Sequence, residues 1–282
     1  MTKDDRDIYF HVGLGKVAST YLQQEVFPNL KGITYISPRK YRQSKQIISS
    51  HSAGRFLVSR EFDVQLKEEL EWFTRHFSNV KVIIFFRRHD SWLLSQYKRY
   101  IKNGWYRGFS SFFDLVEGAH WGPEDVLYSR KLELVEKFTG NRPLILFHED
   151  LLAKPTHVFD QIASFTRTEY IPGSISHKKI HRSYSEKQLK FLLFFTRHFF
   201  RHFPDDHTHN KLKHWVYFRP WWLIYHVFLY VGALLPESWF SKSPLIPSKT
   251  LAAIRSHFHE DWEFVRNYTS TRELLIYTQP SE

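Results

Sequence analysis

The sequence contains no cysteine, so its 282 residues form neither a disulfide nor a thiolate zinc site. Its start, MTKDDRDIYFHVG, has no long apolar segment of the kind found in secretory signals, and a cytoplasmic location is the simplest prediction. Acidic residues are also in the minority, because 29 Asp and Glu stand against 40 Lys and Arg, for a formal net charge of +11. Such a balance favours polyanionic partners: nucleotides, acidic glycans, nucleic acid or anionic membranes.

A glycine-containing loop follows the first apolar run of the chain. Residues 8–12 are predicted to form a short strand, and GLGKVASTYLQ leads from it into a helical pattern that ends near Pro28. In this context backbone N–H groups bind phosphate, while Lys16 adds a mobile cation and Ser19 and Thr20 add hydroxyl groups. The Walker A spacing GxxxxGK[ST] is absent. Taken alone, the loop is equally consistent with an ordinary strand-to-helix turn.

A second phosphate-binding pattern follows the most apolar segment of the chain. Residues 80–86 (VKVIIFF) are predicted to form a buried central strand, and Arg87 comes directly after it. Ser95 stands eight residues further on, in a predicted helix over residues 91–100. A guanidinium at a strand end and a hydroxyl two helical turns later can converge on one phosphate, where arginine donates two hydrogen bonds.

The remaining patterns predict an α/β fold. They are strands at residues 56–59 and 144–147, and helices at residues 66–77, 156–165 and 247–268. Strands that alternate with helices favour a central parallel sheet covered on both faces, which is a three-layer α/β/α architecture.

Three segments, in this order, resemble the PAPS-dependent sulfotransferases, where PAPS is 3′-phosphoadenylyl sulfate. HVGLGKVASTYLQ resembles their 5′-phosphosulfate loop, although Gly15 stands where the family usually has proline, and RRHDSWLLSQY resembles their 3′-phosphate-binding strand and helix. LILFHEDLLAKPTHVFDQIASF is similar to their later strand and helix. The resemblance covers roughly residues 8–170. It implies a P-loop-like sulfotransferase fold and in-line transfer of a sulfuryl group from PAPS, with PAP as the product and no metal.

The resemblance also implies roles for individual residues. Lys16 would contact the 5′ phosphate and the leaving oxygen, and Arg87 with Ser95 would hold the 3′ phosphate. Arg182, in the basic segment SHKKIHRSYS, is predicted to contact the 3′ phosphate as well. The predicted donor site comprises Gly15, Lys16, Ala18, Ser19, Thr20, Arg87, Ser95 and Arg182.

The base that would remove the acceptor proton is predicted to be Glu61, which follows the second strand in LVSREF. Sulfotransferases that act on glycans often have an acidic residue there. An ion pair between Glu61 and Arg60 or Arg55 is the open alternative. His11 and His51 are reserve candidates for the same role.

A basic and aromatic segment, residues 185–245, is predicted to be a helical insertion within a single domain of residues 1–282. Residues 186–203 form a basic helical pattern with a broad apolar face, and the uncharged run that follows has fifteen residues between its bounding prolines. A spanning helix needs about twenty apolar residues, so the run is predicted not to cross a membrane. Peripheral membrane association and packing on the core or on a second subunit remain open.

The predicted acceptor is a hydroxyl or amine of a glycan or a lipid-linked molecule. One alternative is a P-loop kinase, which would need ATP and magnesium. Another is a non-enzymatic basic adaptor that binds membrane or nucleic acid. No nucleic-acid-binding motif is present, and we expect no nucleic-acid partner.

Overall fold

A computed structural model describes residues 5–116, 119–176, 184–201 and 211–277, with the backbone alone at 211–218 and 269–277. The strands are β1 (Asp5–His11), β2 (Thr34–Ile36), β3 (Ala53–Ser59), β4 (Lys81–Phe86) and β5 (Leu144–Phe147). The helices are α1 (Ser19–Tyr21), α2 (Ser44–Ser49), α3 (Leu66–His76), α4 (His89–Lys102), α5 (Phe109–Phe112), α6 (Tyr128–Thr139), α7 (His148–Ala153), α8 (Pro155–Thr166), α9 (Glu186–His198), α10 (Lys211–Leu234), α11 (Ser248–His257) and α12 (His259–Tyr277).

The described residues fall into two compact units. The first comprises those within Met1–Arg88, Leu127–Ile180 and Phe258–Glu282, and the second comprises those within His89–Val126 and His181–His257. The single domain over residues 1–282 stays a prediction.

The first unit is built on a parallel sheet of five strands in the order β2-β3-β1-β4-β5. Parallel strands need crossover connections, and this unit supplies them as helices on the sheet. The α/β class with a central parallel sheet is therefore confirmed. The β4 strand is buried along almost its whole length, as its continuous apolar sequence predicts.

The order of the strands determines where a ligand can approach the sheet. From β1 the chain goes to the edge strand β2 and returns to β3 beside β1, and it then crosses to β4 and β5 on the other side of β1. At such a reversal of strand order, the loops after β1 and β4 diverge and leave a crevice at the carboxyl ends of the strands. The glycine loop and Arg87 follow these two strands.

The predicted helix after the glycine loop has an unexpected form. α1 covers only Ser19–Tyr21, and the chain continues as a π-helical stretch at Leu22–Val26 and a 3₁₀ turn at Phe27–Asn29. The helical segment thus ends where Pro28 predicted it to end, although its hydrogen-bonding pattern is not that of an α-helix.

The second unit is helical and contains the segment that the sequence set apart as basic and aromatic. α9 begins at a capping box formed by Ser185 and Gln188. α10 continues through Pro220, one of the two prolines that bound the uncharged run. Among the helices of the described residues, none is both long and apolar enough to cross a membrane.

Candidate functional site

The loop after β1 is held by hydrogen bonds from neighbouring strand ends. The Val12 N–H donates to the Ile83 carbonyl of β4 at 3.0 Å, and the Gly13 carbonyl accepts from the Phe62 N–H after β3 at 3.1 Å. Within the loop, the Ser19 hydroxyl is buried and donates to the Leu14 carbonyl at 3.0 Å. The loop is thus held on both sides and from within.

Two residues of this loop adopt a left-handed backbone conformation without being glycine. Lys16 has φ of 70° and Ala18 has φ of 73°. Each such residue costs on the order of 1 kcal/mol, and residues of this kind cluster where a backbone is shaped for a ligand. Left-handed residues turn neighbouring N–H groups towards a common concavity that suits an anion.

Arg87 reaches this loop from the carboxyl end of β4. Its Nη1 donates to the Lys16 carbonyl at 3.2 Å, so two residues that the sequence assigned to one donor site are in contact. The side chain of Lys16 is exposed at the same place. The guanidinium of Arg87 therefore contacts the backbone of the predicted phosphate loop at the residue that carries its ammonium group.

The backbone beside Arg87 is anchored on both sides. The Tyr128 hydroxyl donates to the Arg87 carbonyl, and burial raises the pKa of Tyr128, which keeps this hydroxyl protonated. The Tyr128 ring stacks on Phe86 with 4.3 Å between ring centroids. Glu149 accepts from the Arg88 N–H at 3.1 Å. These contacts hold the end of β4 in place.

One backbone N–H of the loop already donates to a carboxylate of the protein. The Gly15 N–H donates to Oδ1 of Asp63 at 2.8 Å. Asp63 follows β3, so its carboxylate reaches the loop from the neighbouring strand end. This N–H thus donates to a carboxylate oxygen of the protein itself, and its contact with the donor stays a prediction.

His11, at the end of β1, lies buried beneath the loop. Its Nδ1 lies 2.8 Å from the Ser59 hydroxyl oxygen, which also accepts from Gln23 Nε2 at 3.1 Å. Burial lowers the pKa of His11 to about 3, so the ring is neutral near neutral pH. A β-carbon at Gly13 would lie 2.6 Å from His11 Nε2, so the ring and the loop backbone are in close contact.

The other predicted site residues lie as follows. Glu61 is half-buried in the loop after β3, and the neighbouring Arg60 Nη1 donates to the Pro38 carbonyl at 3.4 Å. Thr20 lies within α1, next to the buried Ser19. Ser95 lies on α4, in the second unit, and Arg182 lies outside the described residues. The phosphate contacts of Ser95 and Arg182 and the role of Glu61 stay predictions.

Three further residues at this edge were missed by sequence reasoning: Asp63, Tyr128 and His148. Burial and the positive charge of Arg87 lower the pKa of His148 to about 4. His148 directly follows β5, and Asp63 follows β3, so both come after the carboxyl end of a strand. That position is the signal from which they could have been found. Over the described part of the chain, no three His, Asp or Glu side chains form a group able to hold a metal ion.

The sequence matches no protein-family model and no curated protein. Among solved structures, a sulfotransferase from Alicyclobacillus acidocaldarius is similar, with a TM-score of 0.46 and 13% identity over 62% of this chain and 87% of that one. Mouse sulfotransferase SULT7A1, complexed with PAP, has a TM-score of 0.42 and 18% identity over 60% of this chain and 61% of that one. The sulfotransferase domain from the curacin biosynthetic pathway has a TM-score of 0.39 and 15% identity over 60% of this chain and 76% of that one. All three structures are sulfotransferases, the family that the motifs of this sequence resemble.

Proposed function

We propose that this chain is a PAPS-dependent sulfotransferase that acts on a hydroxyl or amine of a glycan or a lipid-linked molecule. The single observation that carries the proposal is the contact between Arg87 and the backbone of Lys16. It joins the two cationic residues of the predicted donor site at the point where the strand order reverses, which is where open α/β sheets bind ligands.

The chemistry of the residues at this edge fits a phosphorylated and sulfated donor. Lys16 and Arg87 are cations, and the loop offers N–H groups near a left-handed backbone. The Gly15 N–H already binds the carboxylate oxygen of Asp63. A donor phosphate that took the same N–H would displace this carboxylate, so Asp63 acts as a competitor for the incoming anion.

In the proposed reaction, the acceptor oxygen or nitrogen attacks the sulfur atom, and the bond from sulfur to the bridging oxygen of PAPS breaks. Lys16 stabilises the negative charge that develops on this leaving oxygen, and Arg87 holds the nucleotide by its phosphate. Glu61 accepts the proton that the acceptor loses. Catalysis then rests on positioning and charge stabilisation, as in phosphoryl transfer.

Calorimetric titration with PAP tests the donor site directly. We expect wild-type protein to bind PAP and the Arg87→Ala variant to bind it at least about tenfold more weakly, since a charge-assisted bidentate contact contributes roughly 1.5–3 kcal/mol. Arg75→Ala is the matched control, because Arg75 is exposed and ion-paired with Glu71 near the end of α3, before β4 begins. ATP with magnesium serves as the competing ligand for the kinase alternative.

Absence of PAP binding by the folded wild-type protein would refute the donor assignment. If PAP binds, transfer of radiolabelled sulfate from PAPS to glycan and lipid-linked acceptors tests the second half of the proposal. Loss of transfer with intact PAP binding in Glu61→Gln would support the base. Unchanged transfer in that variant would contradict it.

A further inference from the structure

α10 has an apolar face that is exposed at the surface of the second unit. Five large side chains recur along it at spacings of three and four residues, and this spacing places them on one side of a helix. They are Leu223 (59% exposed), Val227 (52%), Tyr230 (64%), Val231 (40%) and Leu234 (86%). Soluble proteins rarely expose large contiguous apolar patches, and those patches often bind a protein, a ligand or a membrane.

The opposite side of α10 accounts for its packing within the second unit. Tyr225 and Leu229 are 1% and 0% exposed, and Phe228 packs on Phe195 of α9 with 4.4 Å between ring centroids. Gln188 of α9 donates to the Leu229 carbonyl at 3.0 Å. The helix is thus held in place by one apolar side, and the other apolar side remains exposed.

One end of the exposed face is basic. Arg219 is exposed and precedes Leu223 by one helical turn, so it continues the same side of α10. Phe200, just after α9, contacts Trp221 with 6.0 Å between ring centroids, and the neighbouring Arg201 is exposed. Arg219 therefore lies at the start of the face, whereas Arg201 is next to a contact of Trp221, which lies on the packed side of α10 with Tyr225.

The surrounding sequence has little negative charge to oppose them. Residues 184–201 and 211–257 contain ten Lys and Arg but only two acidic residues. Tyr230 lies within the face, and Trp239, shortly after α10, is 71% exposed. Tyrosine and tryptophan favour the headgroup level of a bilayer, and basic residues attract anionic lipids.

We propose that the exposed face of α10, defined by Leu223, Val227, Tyr230, Val231 and Leu234, docks on an anionic membrane surface. The helix lies along the membrane with these side chains among the headgroups and upper acyl chains, while Arg219 at its start contacts lipid phosphates. The proposal is independent of the donor site, because it rests on the second unit alone.

Single cysteines allow a direct test, because the natural chain contains none. An environment-sensitive dye on Val227→Cys reports the proposed face. The same dye on Leu152→Cys is the matched control, since Leu152 is 67% exposed but lies on α7 in the first unit. With vesicles of phosphatidylcholine and phosphatidylglycerol, we expect a blue shift at Val227→Cys alone, a weaker shift at high salt, and none with phosphatidylcholine alone.

A charged double variant, Leu223→Glu with Val227→Glu, should reduce vesicle co-sedimentation by about tenfold or more, because it places two anionic groups on the face. Glutamate is a good helix former, so α10 should persist. Leu152→Glu is the control and should sediment like wild type. PAP titration of each variant checks the donor site separately.

Three results would overturn the proposal. The first is no dye shift with anionic vesicles, and the second is an equal shift at Leu152→Cys. The third is a concentration-dependent dimer, seen by sedimentation velocity without vesicles and abolished by the double variant, combined with no vesicle binding. That last result would assign the face to a second copy of the chain.

Discussion

His11 should make the protein less stable in mild acid. Burial lowers the pKa of this histidine from 6.5 to about 3, so the folded protein keeps the ring neutral where the unfolded chain protonates it. Between these two values the unfolded state binds one more proton than the folded state. The free energy of unfolding therefore falls as pH drops through 6.5 and stops falling near pH 3.

The size of the effect follows from the two pKa values. Between these two pKa values, the fall in the free energy of unfolding approaches about 1.4 kcal/mol per pH unit. From pH 7 to pH 5, His11 should lower the free energy of unfolding by about 2 kcal/mol. In the His11→Asn variant the side chain does not titrate, while an amide atom can still bond to Ser59. From pH 7 to pH 5, the free energy of unfolding of the variant should therefore fall by about 2 kcal/mol less than that of wild type.

Urea unfolding followed by circular dichroism at pH 7 and pH 5 measures this difference. Comparison of midpoints is valid where both proteins unfold with the same slope. His157→Asn, which removes an exposed histidine from α8, is the control for the substitution itself. Equal losses of stability in wild type and His11→Asn would refute the reasoning, whatever the absolute stability of the variant.

Three further substitutions test the loop. Gly13→Ala would place a β-carbon 2.6 Å from His11 Nε2, so it should destabilise the fold by about 1–3 kcal/mol and weaken PAP binding, as measured by urea unfolding and calorimetry. Tyr128→Phe removes the hydroxyl that donates to the Arg87 carbonyl. It should lower the free energy of unfolding by about 1 kcal/mol and weaken PAP binding. Asp63→Asn keeps an acceptor for the loop but removes its charge, so calorimetry should show tighter PAP binding.

Matched controls exist for two of these variants. Gly108→Ala adds a β-carbon in open space at a φ of −67°, and it should leave stability and PAP binding unchanged. Tyr170→Phe removes a hydroxyl that donates to Asp160 at 2.6 Å and should spare PAP binding. Equal effects of Gly13→Ala and Gly108→Ala would contradict the close contact with the ring, and weaker PAP binding by Asp63→Asn would contradict competition by the carboxylate.

Strong local patterns predicted several elements closely. β5 covers Leu144–Phe147, the predicted residues, and α3 and β4 differ from their predicted bounds by one residue at one end. These segments combine a clear period or a continuous apolar run with polar or proline residues at their ends. β2 was missed because its three residues, Thr34–Ile36, are too short to show a period.

α6 was missed although its signals are present. Tyr128, Leu132 and Val135 recur at helical spacing and are buried, and Gly140 ends the helix with a φ of 66°. α10 continues through Pro220, although proline disfavours the interior of a helix. The contact between Phe195 and Phe228 on the next helical turns holds this helix against α9, and such packing outweighs the local cost of proline.

The sequence by itself determined the chemistry available at the strand ends. It placed Lys16 after one predicted strand and Arg87 after another, and its apolar periods identified the α/β class. Only the tertiary structure decided the strand order and the partners of the loop. Asp63 binds the Gly15 N–H across 48 positions of sequence, and Arg87 reaches Lys16 across 71. Hydrogen bonds between distant segments depend on which strands pair, and no local pattern of residues specifies that pairing.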